Sequence, residues 1–357
     1  MPAPAIDPQP DFQRFLDTLL LRRSRRRPPL FDFLVDKSHK AGVLGRPPET
    51  AEDEVAFFRT AGYDYAQVSL YVPIDELQAA LRRNREGGSA IHGGSLSVIE
   101  SLAHFRGRRW SWQAVAEGDL SAMEGKLAWM ERVAAALPES MKLLVHQADV
   151  FTFAWEMIGF DEFCLATYES PELIEAVMGS MAAANHQVAE EAARRCGEKI
   201  GVWMYSDDIA YTEGLMLKPD FYREALFPVI ERLARIGRSV DAPLIYHSDG
   251  RLYPVLDDLA AAGVRALQPL EPKSMDPLKI KTDWPGSFCL LGNIDLDLMA
   301  RGTPDRVEQH VREKIDRLNA TGGYMPGVSN TVPDYVDHAN YLRMIETVYS
   351  YPDAPID

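Results

Sequence analysis

His247 closes a short apolar run, Leu244 to His247, and is followed by Ser248, Asp249 and Gly250. A histidine so placed can ligate a metal, transfer a proton or hydrogen-bond a substrate. The lesser alternative is a structural histidine tied to a neighbouring carbonyl. Asp249 lies two residues on, so both side chains can face one opening, and Gly250 permits a tight turn or close substrate approach. Asp207 and Asp208 end a second apolar run after Tyr205 and Ser206. Two facing carboxylates raise each other's pKa and suit acid/base work. Adjacent residues on an extended segment point opposite ways, so one is expected to face the site and the other to cap or pair elsewhere. His146, with Gln147 and Asp149, repeats the His247 arrangement. Further polar clusters are Glu271 after Gln268-Pro269-Leu270, Asn293-Ile294-Asp295, and Ser329-Asn330 after Gly327-Val328. Tyr205 and Tyr211 can line the same opening. Phe151, Phe153 and Trp155 read either as its apolar wall or as core. His39, His92, His104, His186, His310 and His338 read as surface or structural.

These clusters share a position: each follows a short apolar run. Eight such runs are expected as strands. They are Leu30 to Val35, Tyr63 to Leu70, Lys142 to Gln147, Ile200 to Tyr205, Pro243 to His247, Val264 to Gln268, Ser287 to Gly292 and Gly322 to Gly327. Runs that do not alternate mark strands buried on both faces, as in parallel sheets. Helical patterns separate most of them, at about 10–23, 50–61, 75–84, 120–136, 149–196, 218–238, 253–262, 274–281, 303–318 and 333–349. Eight βα units favour a (β/α)8 TIM barrel with N-terminal helical additions. A doubly wound open sheet is the alternative, but no strand is followed by G-x-G-x-x-G or a P-loop. Residues 1–28 read as an N-terminal extension and helix, and 29–357 as one barrel domain. The Gly-, Ser- and aromatic-rich stretch from Glu86 to Trp112 reads as an excursion of the kind that covers substrates. In a barrel the polar tips converge on one mouth.

Of the 357 residues, 46% are hydrophobic and 25% charged, an ordinary globular balance. The net charge of −15 disfavours nucleic acid as a partner. The basic run of Arg22, Arg23, Arg25, Arg26 and Arg27 reads first as a solvated face near a helix end. Cys164, Cys196 and Cys289 are scattered and form no C-x-x-C pair, which suits a reducing cytoplasm. No N-terminal signal is expected, and no apolar run approaches the roughly 18 residues that span a bilayer.

Three segments carry a resemblance. SDDIAYTEGLMLKPDFYREALFPVIERL, LIYHSDGRLYPVLDDLAAAGVRALQPLEP and LLGNIDLDLMARGTPDRVEQHV look like the uroporphyrinogen decarboxylase superfamily, including its cobalamin-dependent methyltransferase branch. The resemblance is good over about 140–348 and implies the same barrel. One chemistry it implies is cofactor-free decarboxylation of uroporphyrinogen, marked by an N-terminal R-Q-A-G-R-Y segment. Here that region reads PPLFDFLVDKSHKAGVLGRPPE and lacks the motif. The other is methyl transfer involving a corrinoid protein or a thiol, with zinc held by H-x-C and a distant cysteine. Here H-x-C becomes His247-Ser248-Asp249, and no cysteine stands near Met325 to Ser329. The resemblance therefore implies a divergent enzyme. Its first reading is a corrinoid-linked methyltransferase or demethylase of a small methylated compound. Its second is a decarboxylase of a tetrapyrrole or other carboxylic acid, with no cofactor, and its third a non-catalytic binding protein. His247 and Asp207 are the expected catalytic residues. Tyr205, Asp208, His146, Asn293, Asp295 and Asn330 are expected at the substrate. His247, Asp249 and Glu271 are the expected ligands of a divalent metal, zinc or a harder ion. A small-molecule substrate, a corrinoid protein and a second copy of the chain are the expected partners.

Overall fold

A computed structural model describes residues 3–22, 24–86 and 97–356. Seven parallel strands form one curled sheet: β1 (Tyr65–Ser69), β2 (Lys142–Ala148), β3 (Ile200–Ser206), β6 (Leu244–His247), β7 (Val264–Gln268), β8 (Cys289–Ile294) and β9 (Tyr324–Val328), in the order β1-β2-β3-β6-β7-β8-β9. A small antiparallel hairpin, β4 (Ala210–Tyr211) with β5 (Gly214–Leu215), follows β3. All seven residues of β3 and all six of β8 are buried, which is why these strands are apolar without alternation. Helices cover the outer face through apolar stripes; Phe227–Arg238, for example, buries Phe227, Ile230, Leu233, Ala234 and Gly237.

The eighth expected strand does not form. Within Leu30 to Val35 only Val35 pairs, in a single parallel bridge with Val332. Leu34 takes φ 44°, which breaks the extended backbone. The segment lies between β9 and β1 and bonds to both. Phe31 N–H donates to Pro326 O at 3.0 Å. The Asp32 carboxylate accepts Val328 N–H at 2.8 Å. The Tyr65 hydroxyl donates to Asp32 O at 2.8 Å and accepts Asp32 N–H at 3.1 Å. A mix of backbone and side-chain hydrogen bonds thus stands in for a ladder at the sheet's open seam. The fit is close: a Cβ on Gly327 would lie 1.6 Å from Phe31 O.

Helix Phe12–Leu19 covers the N-terminal ends of the strands. Phe12, Phe15 and Leu19 are buried, and the Phe15 ring meets Tyr65 at 5.4 Å. The 149–196 region divides into Phe151–Ile158, Phe160–Glu169 and Pro171–Cys196, broken at Gly159 and Pro171. Short helices at Lys37–Leu44, Leu102–Arg106, Gln113–Ala116 and Leu296–Arg301 were not expected. Of the Glu86 to Trp112 excursion, 87–96 lie outside the described residues, as do Arg23 and His92. The rest packs on the body of the fold: Val98 and Ile99 N–H donate to Met157 O, and Phe105, Trp110 and Trp112 are buried. Arg25 and Arg27 of the basic run pair with Asp353. Among the described residues no helix is long and apolar enough to cross a membrane.

Candidate active site

Register sets the level of the site. Ser206 pairs with His247 and His247 with Gln268, so three polar side chains stand abreast where β3, β6 and β7 end. Gln268 Nε2 donates to Asn330 O at 3.3 Å, which leaves its Oε1 as acceptor for His247 Nδ1. His247 Nδ1 is therefore the donor in that pair, and Nε2 lies 4.0 Å from Asp249 Oδ1. The Phe33 ring packs on His247 at 4.5 Å between centroids.

Asp208, His247 and Asp249 each offer one ligand atom, all within 4.8 Å of one another. The two carboxylates are held in turn. Asp208 Oδ1 accepts Asp249 N–H at 2.8 Å. Asn330 Nδ2 reaches both Asp249 oxygens, at 3.1 and 3.0 Å. Burial, with the charges of Asp208 and Glu271, pushes Asp249 up to about 6 against the pull of His247 and Asn330. One imidazole and two carboxylates that await a counter-charge fit a divalent ion of borderline or hard character.

Glu271 stands outside this trio. Its Oε2 accepts Gly250 N–H and Ser274 Oγ, each at 3.1 Å, so it fixes the turn after Asp249. Asp207 turns away from the mouth. Its oxygens accept the N–H groups of Val150, Phe151 and Thr152, the Thr152 hydroxyl and the Tyr205 hydroxyl, at 2.8–2.9 Å. It caps helix Phe151–Ile158 from a neighbouring strand, and Tyr205 is buried in that network. Burial raises the Asp207 pKa and these donors oppose the rise. Asp295 caps helix Leu296–Arg301 by accepting Leu298 N–H at 2.9 Å. Asn293 is buried at φ 69° and donates to Leu270 O at 2.6 Å. Tyr211 is 56% exposed on the hairpin, and its neighbour ring is Phe160. Phe151 is core, whereas Trp155 is partly buried and packs on Phe160.

His146 is buried and neutral. Desolvation and the nearby His247 hold its pKa well below the usual range. Phe33 meets it edge-on at 4.7 Å, so this one ring touches both histidines. Glu156 is a further carboxylate near Asp207 and Asp208 that no sequence pattern marks. Burial and the charges of Asp207 and Asp208 push it up to about 7. It lies on the first helix after β2, and surface glutamates on helices are common. Phe33 and Gln268 were also missed, because apolar and amide side chains carry no chemical signal in isolation. His39 and His338 are buried, stacked with Nδ1 atoms 3.1 Å apart, and are structural.

The fold agrees with that of a solved structure. A methyltransferase from Methanosarcina mazei superimposes with a TM-score of 0.61 at 16% identity, covering 95% of this chain and 98% of that one. A putative vitamin-B12 independent methionine synthase from Listeria monocytogenes gives 0.43 at 10% identity, covering 80% and 96%. No curated protein matches by sequence. The family model described as uroporphyrinogen decarboxylase (URO-D) matches residues 111–351, from ahead of β2 to beyond the last helix. The chain belongs to the uroporphyrinogen decarboxylase family.

Proposed function

We propose that the chain is a methyltransferase or demethylase. It moves a methyl group between a small methylated compound and a corrinoid carried by a partner protein, with a divalent ion held by Asp208, His247 and Asp249. The observation that carries this reading is the trio itself: three donor atoms within 4.8 Å at the mouth, each side chain oriented by a further hydrogen bond. A bound ion would supply Lewis-acid activation of the heteroatom that bears the methyl group. None of Cys164, Cys196 and Cys289 joins the trio, so its ligand set is nitrogen and oxygen rather than thiolate. Phe33 gives the substrate an apolar surface beside His247. Leu34, Tyr211 and Tyr335 are exposed on segments that rim the mouth, where a docking corrinoid protein would cover them. His146 and Asn330 support the site from below and beside it, and Asn293 and Asp295 brace the backbone that carries it.

Decarboxylation is the second reading, favoured by the family model's own description. The electrostatics of the mouth oppose a polycarboxylate. Asp149, Glu156, Asp208, Asp249 and Glu271 lie there, and among the described residues none is paired with Lys or Arg.

Two assays on the purified chain separate these readings. Elemental analysis is expected to find about one equivalent of a divalent metal, lost in His247→Ala/Asp249→Ala. Methyl transfer from a panel of methylated ethers, thioethers and amines to added cob(I)alamin is read by its change in absorbance. A metal-free wild type that releases CO2 from carboxylated substrates would replace methyl transfer with decarboxylation.

A further inference from the structure

Asp149 stands at the C-terminal end of β2, apart from the trio of Asp208, His247 and Asp249. Its side chain caps no helix and pairs with no cation among the described residues. One hydrogen bond holds it: Ser206 Oγ donates to Asp149 Oδ1 at 2.9 Å. That uses the only proton Ser206 has, so its 3.0 Å contact with His146 must run the other way, from Nε2–H to Oγ. His146 Nδ1 is then the lone-pair nitrogen, and Ser69 Oγ donates to it at 3.3 Å. Side chains from β1, β2 and β3 thus form three hydrogen bonds that all point toward Asp149. His146 is locked in one tautomer between the rings of Phe33 and Tyr71, which meet it edge-on at 4.7 and 5.0 Å. Being neutral, it orients the chain and does not itself carry charge.

With Oδ1 taken by Ser206, a proton on Asp149 sits on Oδ2, which no donor among the described residues occupies. Besides the neutral His146, the ionisable groups that interact with it are carboxylates and phenols: Asp207 and Asp208 from the end of β3, Glu156 from helix Phe151–Ile158, Tyr71 after β1 and Tyr205 on β3. Burial comes first and these carboxylates second in raising the Asp149 pKa well above the ordinary carboxylate range.

We propose that Asp149 is the proton donor of this site, its Oδ2–H left free by the Ser69–His146–Ser206 chain that holds Oδ1. The proposal rests on the mouth being the reaction centre, and it serves either reaction. In methyl transfer the carbon–heteroatom bond breaks and the methyl carbon passes to a nucleophilic acceptor, a Co(I) corrinoid or a thiolate. The bonding pair stays on the heteroatom, which takes the Asp149 proton. In decarboxylation the pair of the C–CO2 bond stays on carbon, and that carbon takes the same proton. Water then reprotonates Asp149. Ser206 and His146 are positioning residues.

Infrared difference spectra of the full chain between about pH 5 and 9 test the protonation. A carboxylic C=O band is expected at neutral pH, absent in Asp149→Asn and displaced in Ser206→Ala, which removes the donor to that carbonyl. Methyl transfer to cob(I)alamin from two donors tests the role. An aryl methyl ether needs a proton on its leaving phenolate, and a methylsulfonium leaves as a neutral thioether. Asp149→Asn is expected to lose on the order of 100-fold or more with the ether and about threefold or less with the sulfonium. A wild-type spectrum from which Asp149→Asn removes no carboxylic band, or an equal loss with both donors, overturns the proposal. A band that behaves as expected with no methyl donor turned over supports Asp149 and sinks the methyl-transfer reading alone.

Discussion

Asp207 and Asp208 show how much one residue of chain separates in role. Both are carboxylates at the end of the same strand, yet five donors saturate Asp207 while Asp208 joins His247 and Asp249. Removing a buried acceptor strands every donor that pointed at it. Asp207→Ala is therefore expected to lower unfolding free energy by about 3–5 kcal/mol in a urea titration. Asp208→Ala is expected to stay within about 1 kcal/mol of wild type and to lose the metal instead. An Asp207→Ala protein as stable as wild type would mean that the cap is not what this residue supplies. The sequence offered two adjacent acids and the rule that they diverge. The expectation of Asp207 as the catalytic residue fell on the one that caps a helix, while Asp208 joins His247 and Asp249. Which of the two caps depends on where the helix after β2 begins, and the N-terminus of that helix lies in a different βα unit, at Val150 to Thr152.

At the scale of elements, seven strands and most of the long helices follow from apolar periodicity, because a strand buried on both faces has few alternatives in composition. Leu30 to Val35 has the same composition and is not a strand. What holds it is the Asp32 carboxylate on Val328 N–H, the Tyr65 hydroxyl on Asp32 and the Phe31 N–H on Pro326. These are contacts between specific atoms far apart in sequence, and no periodicity encodes them. Likewise the helices of His247 and Asp249's neighbours could be drawn from the sequence, but the partner of His247 Nδ1 could not. Gln268 is adjacent only through the β6–β7 register. The seam makes a sharp prediction. Gly327→Ala puts a methyl group 1.6 Å from Phe31 O, so the 30–35 segment must move. A loss of about 3 kcal/mol or more is expected by thermal or urea unfolding. Phe33 should withdraw from His146 and His247, and this is visible as altered histidine ring resonances. Wild-type stability with unchanged resonances would mean that the segment is not tightly seated.

For the molecule as a whole, the same seam carries a pH response. Asp32 is fully buried, and burial pushes its pKa up to about 7 against the hydrogen bonds from Tyr63 and Val328. In the unfolded chain an aspartate titrates near the usual value of about 4. Between these values the unfolded state releases the proton and the folded state keeps it, so folding stability falls as pH rises from about 4 through about 7. The expected fall from this group is on the order of a few kcal/mol, and Asp32→Asn should flatten it. A stability curve with the same slope in both proteins would assign the response to other groups. The seam also fixes an order of events. The hydrogen bond from Val328 to Asp32 joins positions 296 apart, one near each end of the chain. During synthesis the early segment that carries Phe33 must wait, unsatisfied, until β9 has left the ribosome. The mouth is then the last part of the molecule to take shape, and a nascent or truncated chain that already holds most of the sheet has no finished site with which to act.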